Sequence, residues 1–238
     1  MRRKPENDPT TRPQQVELAE QVVLAVVLQV RDGRLQALLW QRAQAPHSGA
    51  WALPGGTLES NETLEGSIRR HLAAKVDVRD VAHLEQLGSW SEPGRNPQRR
   101  ELATAFLGIV PAGVDPQLPE DTAWHPVDDL PPLAFDHGEI VLAGRDRLRG
   151  KLSYTNVGFA LAPATFTLSE LRDLYAAALG HDVSATNLKR VLLRRDVLSA
   201  TGARREPGRA GGRPAEVYRF RTRTLAITDP FATLRPPG

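Results

Sequence analysis

His71, Ala74 and Lys75 are spaced i, i+3, i+4, so a helix would carry all three on one face. Just upstream lie two adjacent glycines, Gly55 and Gly56, and the pair Glu62 and Arg70. Glycine turns let backbone N–H groups approach phosphate. A carboxylate-lined helical face beside such a turn would gather magnesium, a hard cation that takes oxygen ligands and bridges to substrate phosphates. Here the face is not acidic: with His71 neutral its formal charge is +1. Lys75 should repel a divalent cation and still attract a diphosphate, and Glu62 alone is a poor basis for a metal site. The pattern suits a diphosphate-bearing ligand better than a metal, with no catalytic residue and no metal assigned.

The elements that must position these residues alternate between strand and helix. Gln21 to Val30 is nearly continuous in Val and Leu, as a strand buried on both faces would be, and Arg31-Asp32-Gly33-Arg34 forms a turn before a second strand from Leu35 to Arg42. Ser60 or Asn61 is expected to cap a helix of about 62–75, and strands are expected over 84–90 and 102–110. A Pro-rich loop then leads to a helix with Ile140, Leu142 and Leu148, which should end at Gly150.

The second half has a different pattern. Thr167 to Glu170 is a capping box opening a helix whose Leu171, Leu174, Tyr175 and Ala178 make one apolar stripe, and Gly180 should stop it. Ser184 can cap a second helix of about 185–195, with Leu188, Val191 and Leu192 turned inward and Thr186, Asn187, Lys189, Arg190 and Arg194 on the other side. Helix, short glycine-bearing turn and basic helix is the helix-turn-helix order, in which the second helix enters the major groove of DNA. Two short strands, 197–201 and 216–221, should flank a glycine-rich basic wing carrying Arg204, Arg205, Arg209 and Arg213, suited to a narrow minor groove.

Composition frames both halves. The 238 residues contain no cysteine, which excludes disulfides and cysteine-ligated zinc and is compatible with a reducing cytoplasm. The longest apolar run, Val22 to Leu28, has seven residues, far short of the roughly 18 that suggest a membrane span. Residues 1–15, with three prolines among charges, read as a disordered arm, and 226–238 as a tail. The net charge of +3 divides unevenly: residues 1–150 carry 17 basic and 21 acidic side chains, net −4, and residues 151–238 carry 14 and 7, net +7. The positive half is the one suited to nucleic acid.

Gly56, Glu62, Arg70, Leu72 and Val78 fall on the Gly, first Glu, Arg and apolar positions of the Nudix box, Gly-x5-Glu-x7-Arg-Glu-U-x-Glu-Glu-x-Gly-U. His71, Ala74 and Lys75 stand where that family has its remaining glutamates, and Asp77 where it has its late glycine. With Trp51 to Gly56, Leu133-Ala134-Phe135-Asp136-His137, Tyr154-Thr155-Asn156, Phe166-Thr167-Leu168, Leu179-Gly180, Asn187, Gly212 to Ala215 and Tyr218-Arg219-Phe220, residues 20–222 resemble the Nudix-related transcriptional regulators of NAD metabolism. The resemblance implies an α/β Nudix α/β/α sandwich (16–150), followed by a winged helix-turn-helix domain (151–225). It also implies a cytoplasmic homodimeric repressor of NAD biosynthesis or salvage genes, bound to a palindromic double-stranded operator, needing no cofactor and answering to ADP-ribose or a related NAD derivative.

An ADP-ribose needs donors for its diphosphate and a flat surface for adenine. Gly55, Gly56, Arg42, Arg70, Lys75, Arg95 and Arg99 are the diphosphate candidates, and Trp51 and Trp90 the stacking candidates. Each has a plainer alternative: Arg70 can pair with Glu62 or Glu65, and either tryptophan can be core. His71 and His137 read as structural. Two sites on one chain imply linkage, with effector and DNA changing each other's affinity equally, through the helix ending near Gly150 and the junction 151–156. Two other readings stay open. One is an active ADP-ribose or nucleotide pyrophosphatase with a DNA-binding appendage, recruiting metal through Glu59, Glu62 or Glu65. The other is a nonspecific basic interaction module.

Overall fold

β1 (Glu20–Arg31) is buried on both faces, and its alternate side chains enter two different cores. Val22, Leu24, Val26, Leu28 and Val30 face one layer; Val23, Ala25 and Val27 face the other. That two-sided burial is what its unbroken run of Val and Leu requires. The structure, a computed structural model, describes residues 18–206 and 213–229. The expected arm, Arg209 and most of the expected tail lie outside them.

β1 pairs antiparallel with β2 (Arg34–Gln41) through a two-residue turn at Asp32 and Gly33, whose φ values of 49° and 72° are those of a hairpin turn matched to strand twist. It pairs in parallel with β6 (Glu101–Ile109), which pairs antiparallel with β5 (His83–Trp90). Three short strands went unforeseen. β3 (Trp51–Ala52) and β7 (Thr122–Pro126) add to β2, and β4 (Gly55–Thr57) pairs with residues 22–24 of β1.

On one face α1 (Leu64–Val76) buries Ile68, Leu72 and Val76. Its cap is Thr63, which accepts from Gly66 N, and neither Ser60 nor Asn61 fills that role. On the other face lies α2 (His137–Tyr154). It does not end at Gly150 but runs four residues further, because Leu148 and Leu152 continue one buried stripe; Leu142, off that stripe, is 38% exposed. The boundary placed at 150/151 therefore falls inside a helix.

After the short α3 (Gly158–Leu161), β8 (Phe166–Thr167) leads into α4 (Leu168–Leu179), with the Thr167–Glu170 capping box formed and Gly180 at φ 78° as its C-cap. α5 (Ala185–Arg194) starts at the Ser184 cap, as expected. β9 (Leu198–Arg205) and β10 (Ala215–Phe220) complete a three-stranded sheet in the order β8-β10-β9. β9 extends past Thr201, so Arg204 and Arg205 stand on a strand instead of in the wing loop.

The two halves share one hydrophobic core. Phe159, Phe166, Leu171, Tyr175 and Leu192 belong to the same cluster as Val26, Ile140 and Leu148. Residues 226–229 are docked: Asn156 accepts from Ala226 N at 2.7 Å and Thr228 N donates to Tyr154 O at 2.9 Å. No described helix is long and apolar enough to cross a membrane.

Candidate ligand pocket and nucleic-acid interface

Gly55 and Gly56 hold their places because nothing larger fits. A Cβ at Gly55 would stand 2.1 Å from Val23 O of β1, and one at Gly56 would stand 2.5 Å from the ring of His71. His71 therefore fills the space above the glycine turn. Its Nε2 lies 3.1 Å from Thr57 O, and since a carbonyl only accepts, Nε2 carries the proton. Burial pulls the imidazole below its ordinary value and keeps it neutral.

Lys75 takes the next place on that face. Its Nζ donates to Gly55 O at 2.6 Å and sits 4.6 Å from the centroid of the Trp40 ring. Burial, with Arg42 and Arg70 nearby, lowers its affinity for the proton. Ala74 is exposed. The one matching carboxylate, Glu62, is occupied by Arg70 Nε at 2.5 Å and Nη2 at 2.7 Å, and that bond is the main reason its carboxyl is held down at about 2. A divalent cation does not fit these residues: an ammonium stands at the centre, an imidazole N–H beside it, and the single carboxylate already holds a guanidinium.

Around this face opens a cavity of about 590 Å³, within the roughly 300–1,000 Å³ typical of small-molecule sites. Of the expected effector residues it brings together Arg42, Gly55, Gly56, Arg70, Lys75 and Arg99. Trp51 and Arg95 are not on its wall. Trp51 packs edge-on against His125 at 4.4 Å. Arg95 is a strut: its Nε and Nη2 donate to Asp136 at 3.0 and 2.7 Å, and its Nη1 to Glu101. With its side chain 2% exposed and shared between two carboxylates, it is held as part of the framework. Trp90 lies apart as well, in a groove between β5 and α2.

The pocket also uses residues the sequence did not single out as ligand contacts. Phe135 forms part of the wall, with the Arg42 guanidinium 4.7 Å from its ring centroid, and Asn96 and Glu101 line it too. In the sequence Phe135 stands only within the Leu133–His137 motif, with no contact assigned to it. His137 is fully buried and accepts from Leu53 N at 3.0 Å, so it is structural as expected.

The candidate nucleic-acid face is at the far end of the molecule. Thr186, Asn187, Arg190 and Arg194 are exposed on α5, opposite buried Leu188 and Leu192. Arg190 donates to Asn187 Oδ1 at 2.7 Å, which aligns the pair. Lys189 leans on Tyr218 and reaches Glu216 at 3.6 Å, and Arg205 bonds Glu170 of the capping box, so these two are partly committed within the domain. Arg204 and Arg213 are exposed on either side of the undescribed segment 207–212.

Family models match both parts, a Nudix domain over residues 20–143 and the NrtR DNA-binding winged helix domain over 158–220. A curated protein of Acinetobacter baylyi described as an ADPR responsive transcriptional repressor is 31% identical over 201 residues, covering 82% of this chain and 79% of its own. The chain belongs to the NrtR family. Shewanella oneidensis NrtR solved with a 27mer DNA is 30% identical, covering 84% of this chain and 93% of its own with a TM-score of 0.73. The Nudix domain of that NrtR solved with ADP ribose is 29% identical, covering 58% of this chain and 94% of its own with a TM-score of 0.51. The expected architecture, Nudix sandwich followed by winged helix, is that of the family.

Proposed function

We propose that this chain is a transcriptional repressor of NAD biosynthesis or salvage genes whose Nudix domain senses ADP-ribose or a related NAD derivative and leaves it intact. The observation that carries this is the conversion of the metal face into an anion site: Lys75 and His71 occupy it, while the cavity around it is kept. A diphosphate in that cavity meets the Arg42, Arg70 and Arg99 guanidiniums, the Lys75 ammonium and the Gly56 backbone, and the Phe135 face offers a surface for a flat ring. At the other end Thr186, Asn187, Arg190 and Arg194 reach phosphates and base edges in the major groove, with Lys189 beside them. Arg204 and Arg205 at the end of β9 and Arg213 before β10 add basic side chains beside it. A cytoplasmic homodimer would present two such units to a palindromic operator.

ADP-ribose is what remains of NAD after nicotinamide leaves, so it reports NAD turnover, and a sensor must not destroy its signal. The pyrophosphatase alternative would recruit metal through Glu59, Glu62 or Glu65, yet Arg70 holds both oxygens of Glu62 and approaches Glu59 at 3.4 Å, and Arg69 pairs with Glu65 at 2.9 Å. Footprinting of duplex from the chain's own upstream region, with and without ADP-ribose, tests the first reading. A protected palindrome whose affinity responds to the ligand, with ADP-ribose recovered intact in magnesium, is expected. Release of phosphate-bearing products that is lost in Glu62→Gln would instead support the hydrolase.

A further inference from the structure

Phe135 and Asp136 join the pocket to α2, and Phe135 is held in a backbone conformation that large side chains rarely adopt. Its φ is 54°, in the left-handed region, where surrounding contacts must offset a local cost. Those contacts are aromatic. The Arg42 guanidinium lies over the ring at 4.7 Å, His47 meets its edge at 4.8 Å and His137 lies at 5.4 Å. The next residue, Asp136, is the N-cap of α2 and is gripped by Arg95, whose guanidinium also bonds Glu101 on the pocket wall. The start of α2 is thus tied to the pocket by two independent routes.

The other end of α2 is tied to the winged helix. Arg149 Nε donates to Ala178 O of α4 at 3.1 Å, and Arg195, the C-cap of α5, donates to Ser153 O at 2.7 Å. Between these anchors α2 is 18 residues long, a rod of about 27 Å. A change of direction at its N-terminus therefore reaches both helices of the DNA-facing pair.

We propose that Phe135 and the Arg95–Asp136 pair are the coupling element between the pocket and the winged helix. An anionic diphosphate draws the Arg42 guanidinium off the Phe135 ring, residue 135 is released from the left-handed region, and α2 re-aims α4 and α5. A ligand shifts an equilibrium only by interacting differently with its two states. Arg42 supplies that difference, because an incoming diphosphate competes with Pro46 O and the Phe135 ring for its guanidinium. The proposal rests on the ligand class and DNA partner argued above.

The test uses the full chain, ADP-ribose and the footprinted duplex. Duplex affinity is measured with and without ADP-ribose, and ADP-ribose affinity with and without duplex; linkage requires the two ratios to agree. In the unaltered chain a ratio of about 5- to 150-fold is expected. In Asp136→Asn, which breaks the Arg95 grip outside the pocket wall, and in Phe135→Leu, which removes the surface under Arg42, the ratio should fall towards one in both directions. Phe135→Tyr keeps the ring and should keep the ratio. Coupling retained in both Asp136→Asn and Phe135→Leu overturns the proposal alone. Loss of both affinities together in both variants marks a merely structural role and also overturns it. An unaltered chain that binds no duplex overturns the functional reading and the proposal with it.

Discussion

The two ends of α2 hold positive charge in opposite ways. In the pocket, Arg70 is fastened to Glu62, Lys75 to Gly55 O and Trp40, and Arg42 to Pro46 O and the Phe135 ring. On α5, Arg194 and Arg190 stand exposed, and only the Asn187 bond orients Arg190. A site for one small anion needs charges set in place and partly stripped of water, since little else selects its ligand. A face for a long polyanion gains from charges left hydrated and mobile, because displaced counterions supply much of the binding.

The largest test of that contrast is salt. If two winged helices together meet roughly 6–10 phosphates, raising salt from about 50 to 200 mM should weaken duplex binding by about 10³–10⁵-fold. ADP-ribose binding, carried by preset charges and one diphosphate, should weaken far less in parallel calorimetry. Equal losses would erase the distinction. Next in size is Lys75→Ala, which removes a charged hydrogen bond and the cation over Trp40. ADP-ribose affinity should drop by about 1.5–3 kcal/mol, with duplex affinity in the absence of ligand unchanged.

Arg190→Ala should do the reverse. Duplex affinity falls by about 1–3 kcal/mol if Arg190 reads a base, or the salt slope falls by about one if it meets phosphate, and ADP-ribose binding is untouched. The smallest effect is in pH. Burial holds the His137 imidazole down at about 3 against an ordinary 6.5. On acidification the unfolded chain takes up a proton that the folded chain refuses. The stability tied to this group is complete above about pH 6.5 and is lost progressively as pH falls towards 3. Urea titrations should show that decline flattened in His137→Gln, which keeps an acceptor for Leu53 N.

Features set by neighbours in sequence were legible; those set across space were not. The Asp32-Gly33 turn, the Thr167–Glu170 capping box, the Ser184 cap and the Gly180 stop each depend on a few consecutive residues, and each formed. β4 has three residues and exists only because residues 22–24 of β1 lie alongside it, a pairing no local pattern announces. Gly150 misled because a glycine's weak local signal yields to the burial of Leu152 one turn beyond Leu148. In the pocket the spacing of Gly56, Arg70 and Lys75 was enough to gather them. Arg95 looked like a ligand residue until its two carboxylate partners, half-buried Asp136 and buried Glu101, 41 and 6 positions away, became visible. Phe135 stood in the Leu133–His137 motif without a role of its own for the converse reason: no spacing rule marks a residue that matters through its backbone angle and the guanidinium over its ring.

The imidazole seated on Gly56 bears on what it would take to give this pocket a metal. An acid placed at position 71 alone would leave Lys75 tethered to Gly55 and Glu62 committed to Arg70, so the new carboxylate would face an ammonium and find no free second ligand beside it. The lysine's hold on Gly55 and the arginine's hold on Glu62 act as two further locks on the same face.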